Sequence, residues 1–194
     1  MNFQNVEFLI SAAAPKDFPA KRLPEIAFAG KSNVGKSSVI NRLLQRKSMA
    51  KVGDKPGKTV HVNYFLLDKQ CYLVDLPGYG FAKVPQAEKD RWAKLMEDYF
   101  AANRITLGVL IVDYRHPPTN NDITMAKWFL DSGCPFVVLA NKKDKLKKSE
   151  LEPNLALIRQ DLELPENCPV IPFSAEKGDG RDELVKQILR AVKI

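Results

Sequence analysis

The stretch F-A-G-K-S-N-V-G-K-S-S-V-I-N, residues 28–41, decides the fold. Its left end completes the apolar run E-I-A-F-A-G (25–30), and its right end has the spacing of a helix from about Lys36 to Gln45. Between them lies the pattern G-x-x-x-x-G-K-S of a P-loop, whose backbone N–H groups and helix N-terminus can encircle a phosphate chain. A glycine-rich turn without a ligand is the alternative. The predicted phosphate-binding residues are Gly30, Lys31, Ser32, Asn33, Val34, Gly35, Lys36, Ser37 and Ser38.

The rest of the chain alternates strand-like runs with amphipathic helical stretches. Continuous β-branched runs such as G-V-L-I-V-D-Y (108–114) and F-V-V-L-A-N (136–141) are typical of parallel strands buried on both faces. The runs at 60–67 and 71–76 are joined by only D-K-Q, which is too short for a helical crossover, so these two strands must be antiparallel. We predict a three-layer α/β fold, with a mostly parallel sheet of about six strands, one antiparallel edge strand and helices on both faces.

Length and composition bound the class of protein. The 194 residues suit one domain, which we place at residues 23–194, with residues 1–22 as an N-terminal extension packing on it. The net charge of +7 favours an acidic partner such as nucleic acid or a membrane surface, the alternative being a merely basic protein. Three widely spaced cysteines predict buried thiols in a reducing cytosol. We expect no signal peptide and no membrane span.

Two motifs that directly follow predicted strands point to a guanine base. In N-K-K-D (141–144), the Asp144 carboxylate can accept from both N1–H and the exocyclic amine of guanine, a donor pair that adenine lacks. A site that hydrogen-bonds one specific edge rejects the wrong base by about 10⁴–10⁵. We expect Asn141 to tie this loop to the P-loop and the Lys142 stem to cover one face of the base. A charged turn is the alternative. Near guanine O6 we expect the backbone of a second loop, Ser174, Ala175 and Glu176.

A further pair of motifs predicts a magnesium site beside the phosphates. D-L-P-G, which comprises Asp75, Leu76, Pro77 and Gly78, ends a predicted strand, and Gly57, Lys58 and Thr59 lie in the loop upstream. The predicted metal ligands are Ser37, Thr59 and, through water, Asp75. The predicted catalytic residues are Lys36 on the β- and γ-phosphates, Thr59, and Gly78, whose N–H would touch the γ-phosphate. Together the motifs predict GTP or GDP as the ligand and Mg²⁺ as the cofactor.

The longer strings resemble the EngB (YihA/YsxC) family, within the TrmE–Era–EngA–EngB–septin group of GTPases. They span nearly the whole chain: GKSNVGKSSVIN (30–41), KPGKT (55–59), DLPGYGFAKV (75–84), DYRHPPTNND (113–122), NKKD (141–144) and SAEKG (174–178). The resemblance implies a bacterial cytoplasmic GTPase that assists assembly of the large ribosomal subunit, with ribosomal RNA and ribosomal proteins as partners. It also implies a requirement in cell division and septation.

One position departs from the Ras-like pattern. Ras-like proteins carry a water-orienting Gln directly after the D-x-x-G glycine, and this chain has Tyr79 there. A phenol cannot orient the attacking water as an amide does, so we expect slow hydrolysis that a partner or a cation raises. Several relatives in the group hold K⁺ with an asparagine at the position of Asn33, which makes K⁺ a candidate cofactor. The alternative is that Asn33 merely suits a turn.

The sequence is compatible with three functions. The first is a GTP-hydrolysing switch on a ribosomal precursor, the second a nucleotide-dependent binding module in which hydrolysis is incidental, and the third a septal scaffold without an RNA partner. The basic charge and the lack of a membrane segment argue against the third. We expect a monomer whose GTP-ordered loops present lysines to RNA phosphates. These are Lys47, Lys51, Lys55, Lys58 and Lys83.

Two other features have structural interpretations. D-Y-R-H-P-P, at the end of the predicted strand 106–114, is interpreted as a strand-end turn, with an RNA contact as the alternative. Trp92 and Trp128 lie at helical spacing among apolar residues, so we assign them to the core.

Overall fold

The computed structural model describes residues 1–50, 60–80 and 84–193. Within these residues the strands are β1 (Val6–Ala12), β2 (Glu25–Gly30), β3 (Val62–Leu67), β4 (Cys71–Asp75), β5 (Ile105–Asp113), β6 (Phe136–Asn141) and β7 (Val170–Pro172). The α-helices are α1 (Lys36–Leu44), α2 (Gln86–Ala101), α3 (Asn120–Asp131), α4 (Lys148–Asp161) and α5 (Arg181–Val192).

The described strands form one sheet in the order β1-β3-β4-β2-β5-β6-β7. The five strands from β4 to β7 in that order are parallel, whereas β3 runs antiparallel to both β4 and β1. A short turn closes the β3–β4 hairpin, with Asp68 and Lys69 at φ values of 49° and 57°. The predicted class, a mostly parallel sheet with an antiparallel edge, is confirmed.

The outermost strand, β1, brings the described sheet to seven strands where we predicted about six. It lies within residues 1–22 and pairs with β3 from Val6 opposite Leu67 to Ala12 opposite Val62. Phe8 and Leu9 are adjacent and both exposed, at 52% and 44%. This run therefore lacks the period-2 alternation by which a half-buried strand is recognised. The domain boundary after residue 22 stays a prediction.

Helices cover both faces of the sheet, and each face has its own apolar core. On one face α2, α3 and α4 pack against the strands, with Phe129 of α3 in the same buried cluster as Ala27 of β2. On the other face α1 and α5 contribute Ile40 and Ile188 to a cluster with Phe28 of β2. Successive β2 residues thus alternate between the two cores, and the three-layer arrangement is confirmed.

The carboxyl ends of the parallel strands meet at one edge of the sheet. β2 ends at Gly30, β4 at Asp75, β5 at Asp113, β6 at Asn141 and β7 at Pro172. Ligands of open α/β sheets bind outside such an edge. Across residues 1–50, 60–80 and 84–193, no helix combines the length and the apolar character that a bilayer crossing requires.

Candidate nucleotide-binding site

The P-loop joins β2 to α1 and is shaped by close backbone approach. Gly35 has a φ of 99°, and a Cβ atom there would lie 2.6 Å from Nδ2 of Asn141. A side chain at Gly35 would be strained by this conformation and would displace Asn141. A Cβ at Gly30 would lie 2.8 Å from Val34 Cγ1. Close contacts therefore favour glycine at both positions, with Asn141 of β6 at Gly35 and with Val34 of the loop itself at Gly30.

The segment after β4 lies directly against the P-loop. The Ser32 N–H donates to the Tyr79 carbonyl at 2.9 Å, and a Cβ at Gly78 would lie 3.1 Å from Ser32 Oγ. Lys36 Nζ forms an ion pair with the Asp75 carboxylate. The structure therefore brings together the lysine, the aspartate and the glycine for which the sequence predicted contacts with phosphate or metal.

The donor set of this site fits a phosphate chain with Mg²⁺. Ser32 Oγ is buried and has no hydrogen-bond partner among the described residues. A phosphate oxygen would accept its hydrogen bond and compensate the free energy lost when this hydroxyl was removed from water. Ser37 and Asp75 offer a hydroxyl and a carboxylate, the oxygen ligands that Mg²⁺ takes alongside phosphates. Among residues 1–50, 60–80 and 84–193, His, Cys, Asp and Glu form no cluster of three or more that could hold a metal ion.

The loop after β6 is connected to the P-loop by a buried amide. Asn141 Nδ2 donates to the Val34 carbonyl at 3.0 Å, and Asn141 Oδ1 accepts the Ala175 N–H at 3.2 Å. Asn141 is 2% exposed, so breaking either bond would leave a buried polar group unsatisfied. One side chain thus fixes the P-loop and both predicted base-recognition loops relative to each other.

Asp144 is held as a carboxylate by its neighbour. Ser174 Oγ donates to Asp144 Oδ1 at 2.6 Å, and this hydrogen bond lowers the pKa of Asp144 below its usual range. Oδ2 is buried and accepts no hydrogen bond from the described residues, although Lys145 Nζ lies 3.2 Å away. The carboxylate therefore has an acceptor atom suited to the N–H groups of a guanine edge.

Asp113, which the sequence analysis did not assign to the site, supports Lys142. Lys142 Nζ lies 3.0 Å from Asp113 Oδ2 and 3.4 Å from the Asn33 carbonyl. Burial acts to raise the pKa of Asp113, but hydrogen bonds from Arg115 and Lys142 outweigh it and hold this pKa well below its usual value. D-Y-R-H-P-P is thus more than a turn, because its aspartate anchors the lysine of N-K-K-D. Asp113 reaches Lys142 because it lies opposite Asn141 at the ends of the adjacent strands β5 and β6.

Tyr79 directs its hydroxyl into the protein. The side chain is buried, and its OH donates to Asp122 Oδ1 of α3 at 2.7 Å. Burial raises the pKa of this phenol, and the Asp122 carboxylate raises it further. Trp92 lies beside Tyr79 and donates Nε1–H to the Pro77 carbonyl at 3.2 Å. Trp92 and Trp128 are partly buried and pack against the core cluster of this face.

The structure also reveals two residues of α1 that join the site to its surroundings. Asn41 exchanges two hydrogen bonds of 2.8 Å with the backbone of Ala50. Arg42 Nε donates to the Ala175 carbonyl at 2.7 Å. The Arg42 contact spans 133 positions and the Asn41 contact joins α1 to the loop that follows it, so neither had a signature in its flanking residues. Several predicted residues lie outside the described residues: Lys51, Lys55, Gly57, Lys58, Thr59 and Lys83.

The remaining predicted residues have the following places in the structure. Lys31 forms a β-bridge with Tyr79. The Leu76 N–H donates to the Phe28 carbonyl at 3.0 Å, and Glu176 pairs with Lys145 at 2.9 Å. Ser38 is the third residue of α1.

Comparison with known proteins agrees with this geometry. A family model described as "50S ribosome-binding GTPase" matches residues 25–142, which contain every strand from β2 to β6. The chain is 45% identical over 193 residues to the probable GTP-binding protein EngB of Pelotomaculum thermopropionicum, an alignment that covers 99% of this chain and 98% of that protein.

Two solved structures resemble the fold over most of the chain. The crystal structure of a probable GTP-binding protein EngB has a TM-score of 0.70 and 26% identity, covering 87% of this chain and 98% of that one. Era, solved in complex with MgGDPNP and nucleotides 1506–1542 of 16S ribosomal RNA, has a TM-score of 0.66 and 25% identity, covering 88% of this chain and 57% of Era.

Proposed function

The chain belongs to the EngB family of GTP-binding proteins and is a GTPase, and from this premise we propose that it is a slow GTP-controlled switch in assembly of the large ribosomal subunit. Its fold is that of the P-loop GTPases, and it binds GTP and GDP. The switch function, its metal and its ribosomal partner are the parts that experiment must test.

One observation carries the proposed mode of nucleotide binding. The hydrogen bonds of Asn141 to Val34 and Ala175 hold the phosphate loop and the two base loops in fixed relation. Buried polar atoms that receive no hydrogen bond from the described residues lie at both ends of this assembly, Ser32 Oγ at the phosphate end and Asp144 Oδ2 at the base end. A guanine nucleotide that spans the strand ends would satisfy both atoms, which supports its placement there.

Different residues of the chain contact the phosphates and the metal. Backbone N–H groups of residues 30–38 surround the phosphates, and the Lys36 ammonium exchanges the Asp75 carboxylate for phosphate oxygens. Ser37, Thr59 and, through water, Asp75 would hold Mg²⁺, which would supply positive charge to the phosphate oxygens. The Gly78 N–H contacts the γ-phosphate, so the segment after β4 responds to its presence.

The ribosomal role is supported by charge and by similarity. The net charge of +7 favours binding to RNA phosphates. The matching family model is described as ribosome-binding, and Era, a structural neighbour, was solved with ribosomal RNA. We extend this to a monomer that acts in the cytoplasm on ribosomal RNA and ribosomal proteins, and whose loss disturbs cell division and septation.

The alternative function is a nucleotide-dependent binding or scaffold module, on RNA or at the septum, in which hydrolysis is incidental. The environment of Tyr79 favours it, because the residue after Gly78 donates its only hydroxyl hydrogen to Asp122. No side chain at that position is then left to orient the attacking water. Hydrolysis would depend on a group from a partner or on a cation.

Sucrose-gradient profiles of cell extracts, run with a non-hydrolysable GTP analogue and with GDP, test the proposal. We expect co-migration with large-subunit particles in the GTP-analogue state, and faster GTP turnover when purified particles are added. Co-migration without any stimulation of turnover would favour the binding module. Migration only at the top of the gradient in both states would contradict a ribosomal function.

A further inference from the structure

A groove between α2 and α3 lies outside the nucleotide site. It has a volume of about 310 Å³ and is lined by Glu97 and Phe100 of α2, by Trp128 and Asp131 of α3, and by Ser132. None of these residues belongs to a nucleotide motif. The groove therefore needs an explanation of its own.

Two aromatic side chains form the apolar part of the groove. The Trp128 and Phe100 rings meet edge to face with centroids 5.3 Å apart, and Trp128 also stacks on Trp92 with centroids 6.2 Å apart. Both lining rings are only partly buried. A rigid, partly exposed tryptophan ring is a good surface for a cation, because its π face carries negative potential.

Two carboxylates, those of Glu97 and Asp131, flank these rings. Glu97 and Asp131 are exposed, and neither forms an ion pair within residues 1–50, 60–80 and 84–193. Nearby Lys94 is paired with Asp98 at 2.6 Å, and Lys127, one turn before Asp131, makes no ion pair with it. Two unpaired carboxylates beside two aromatic rings stand out on a chain whose net charge is +7.

We infer that this groove binds arginine or lysine side chains of an extended basic segment of a protein partner. A guanidinium can stack on the Trp128 ring while it forms an ion pair with Glu97 or Asp131, so one side chain uses both features of the groove. Nucleic acid is disfavoured here because its phosphates would meet the two carboxylates. The groove is thus distinct in its chemistry from a surface that binds RNA.

The groove is connected to the nucleotide site by packed aromatic side chains. Trp92, stacked under Trp128, donates its indole N–H to the carbonyl of Pro77, one residue before Gly78. Tyr79 also packs against Trp92, with ring centroids 6.3 Å apart. A segment bound on Trp128 would therefore lie two aromatic rings away from the strand end that contacts the P-loop.

The test is a nuclear magnetic resonance titration of the full chain with an amidated octapeptide of alternating glycine and arginine. The chain has two tryptophans, so only two indole N–H signals occur, and a Trp128→Phe variant assigns them. We expect the Trp128 signal to shift in a saturable manner. The same peptide with citrulline, which has nearly the shape of arginine without its charge, should bind far more weakly.

The double variant Glu97→Gln/Asp131→Asn supplies the decisive comparison. Exposed ion pairs contribute about 0.2–1 kcal/mol each, so the loss of two should weaken peptide binding between about 2- and 30-fold. The matched control is Glu152→Gln/Glu166→Gln, which changes net charge equally at exposed sites outside the groove. Equal weakening in both variants, equal binding of the citrulline peptide, or a Trp128 shift produced by oligouridylate instead would each overturn the inference.

Discussion

Asp144→Asn tests base recognition sharply, because the two oxygens of this carboxylate have different environments. Oδ1 accepts the Ser174 hydroxyl at 2.6 Å. That hydroxyl in turn accepts the Lys177 N–H at 2.9 Å, so its single hydrogen is directed at Asp144. Oδ2 is buried and without a hydrogen bond from the described residues. In the variant, the amide oxygen keeps the Ser174 bond and the amide nitrogen occupies the place of Oδ2.

The size of the effect follows from that orientation. Guanine presents N–H donors to Asp144. An NH₂ group in the place of Oδ2 is itself a donor and cannot accept hydrogen bonds from them. Truncating one partner of a buried, hydrogen-bonded charge pair costs about 2–5 kcal/mol. At tenfold per 1.4 kcal/mol, GTP binding should weaken roughly 30- to 4000-fold. Xanthine carries a carbonyl oxygen where guanine has its amine, so XTP binding should improve.

The assay is equilibrium binding of GTP and XTP to the wild type and the variant, with a fluorescent nucleotide as the reporter. Asp179→Asn is the matched control, since it makes the same change in the neighbouring loop at a side chain that is 46% exposed. Surface substitutions of this kind alter free energies by about 0.5 kcal/mol at most, so its affinities should stay within about twofold. Unchanged GTP affinity in Asp144→Asn, or equal losses for GTP and XTP, would refute the reasoning.

Three further predictions address hydrolysis and the support of the site. Tyr79→Phe leaves Oδ1 of the buried Asp122 without its donor, while Oδ2 keeps its two hydrogen bonds from Thr119, and should cost about 1–3 kcal/mol of unfolding free energy; intrinsic GTP turnover per folded molecule should be unchanged, and a large loss of turnover would make the phenol catalytic. Asp113→Asn removes the partly exposed ion pair that supports Lys142, so calorimetry should record about 1.4- to 5-fold weaker binding of GTP and GDP alike, whereas a loss for one nucleotide alone would place Asp113 in the switch. Hydrolysis should be faster in KCl than in NaCl at equal ionic strength if Asn33 helps hold K⁺ beside the phosphates; equal rates would leave Asn33, with its φ of 64°, as a turn former.

The sequence predicted those parts of the fold and site that have local signatures. β2, β5 and β6 are continuous apolar runs because both of their faces are buried, and this pattern is visible in the residues themselves. The P-loop was equally evident, since its G-x-x-x-x-G-K-S pattern between a strand and a helix is contained within a few consecutive residues.

Contacts between residues distant in sequence could not be predicted in this way. The Tyr79 to Asp122 hydrogen bond spans 43 positions and the Lys142 to Asp113 contact spans 29, and each pair meets only after the sheet has formed. β1 was missed as a sheet member because its exposed Phe8 and Leu9 break the alternation that marks a strand. Hydrogen-bond partners across the sheet are set by topology and not by the residues that flank them.

The measurement that tests the central claim most directly is the affinity for purified large-subunit particles, with a GTP analogue and with GDP, across a salt series. We predict tighter binding in the GTP state, because contacts of the γ-phosphate with the P-loop and with Gly78 would order the adjoining loops. Affinity should fall steeply with salt. Each lysine–phosphate contact should add about one unit to the slope of log affinity against log salt concentration. Equal affinities in the two nucleotide states would contradict the switch, and a flat salt response would contradict binding through RNA phosphates.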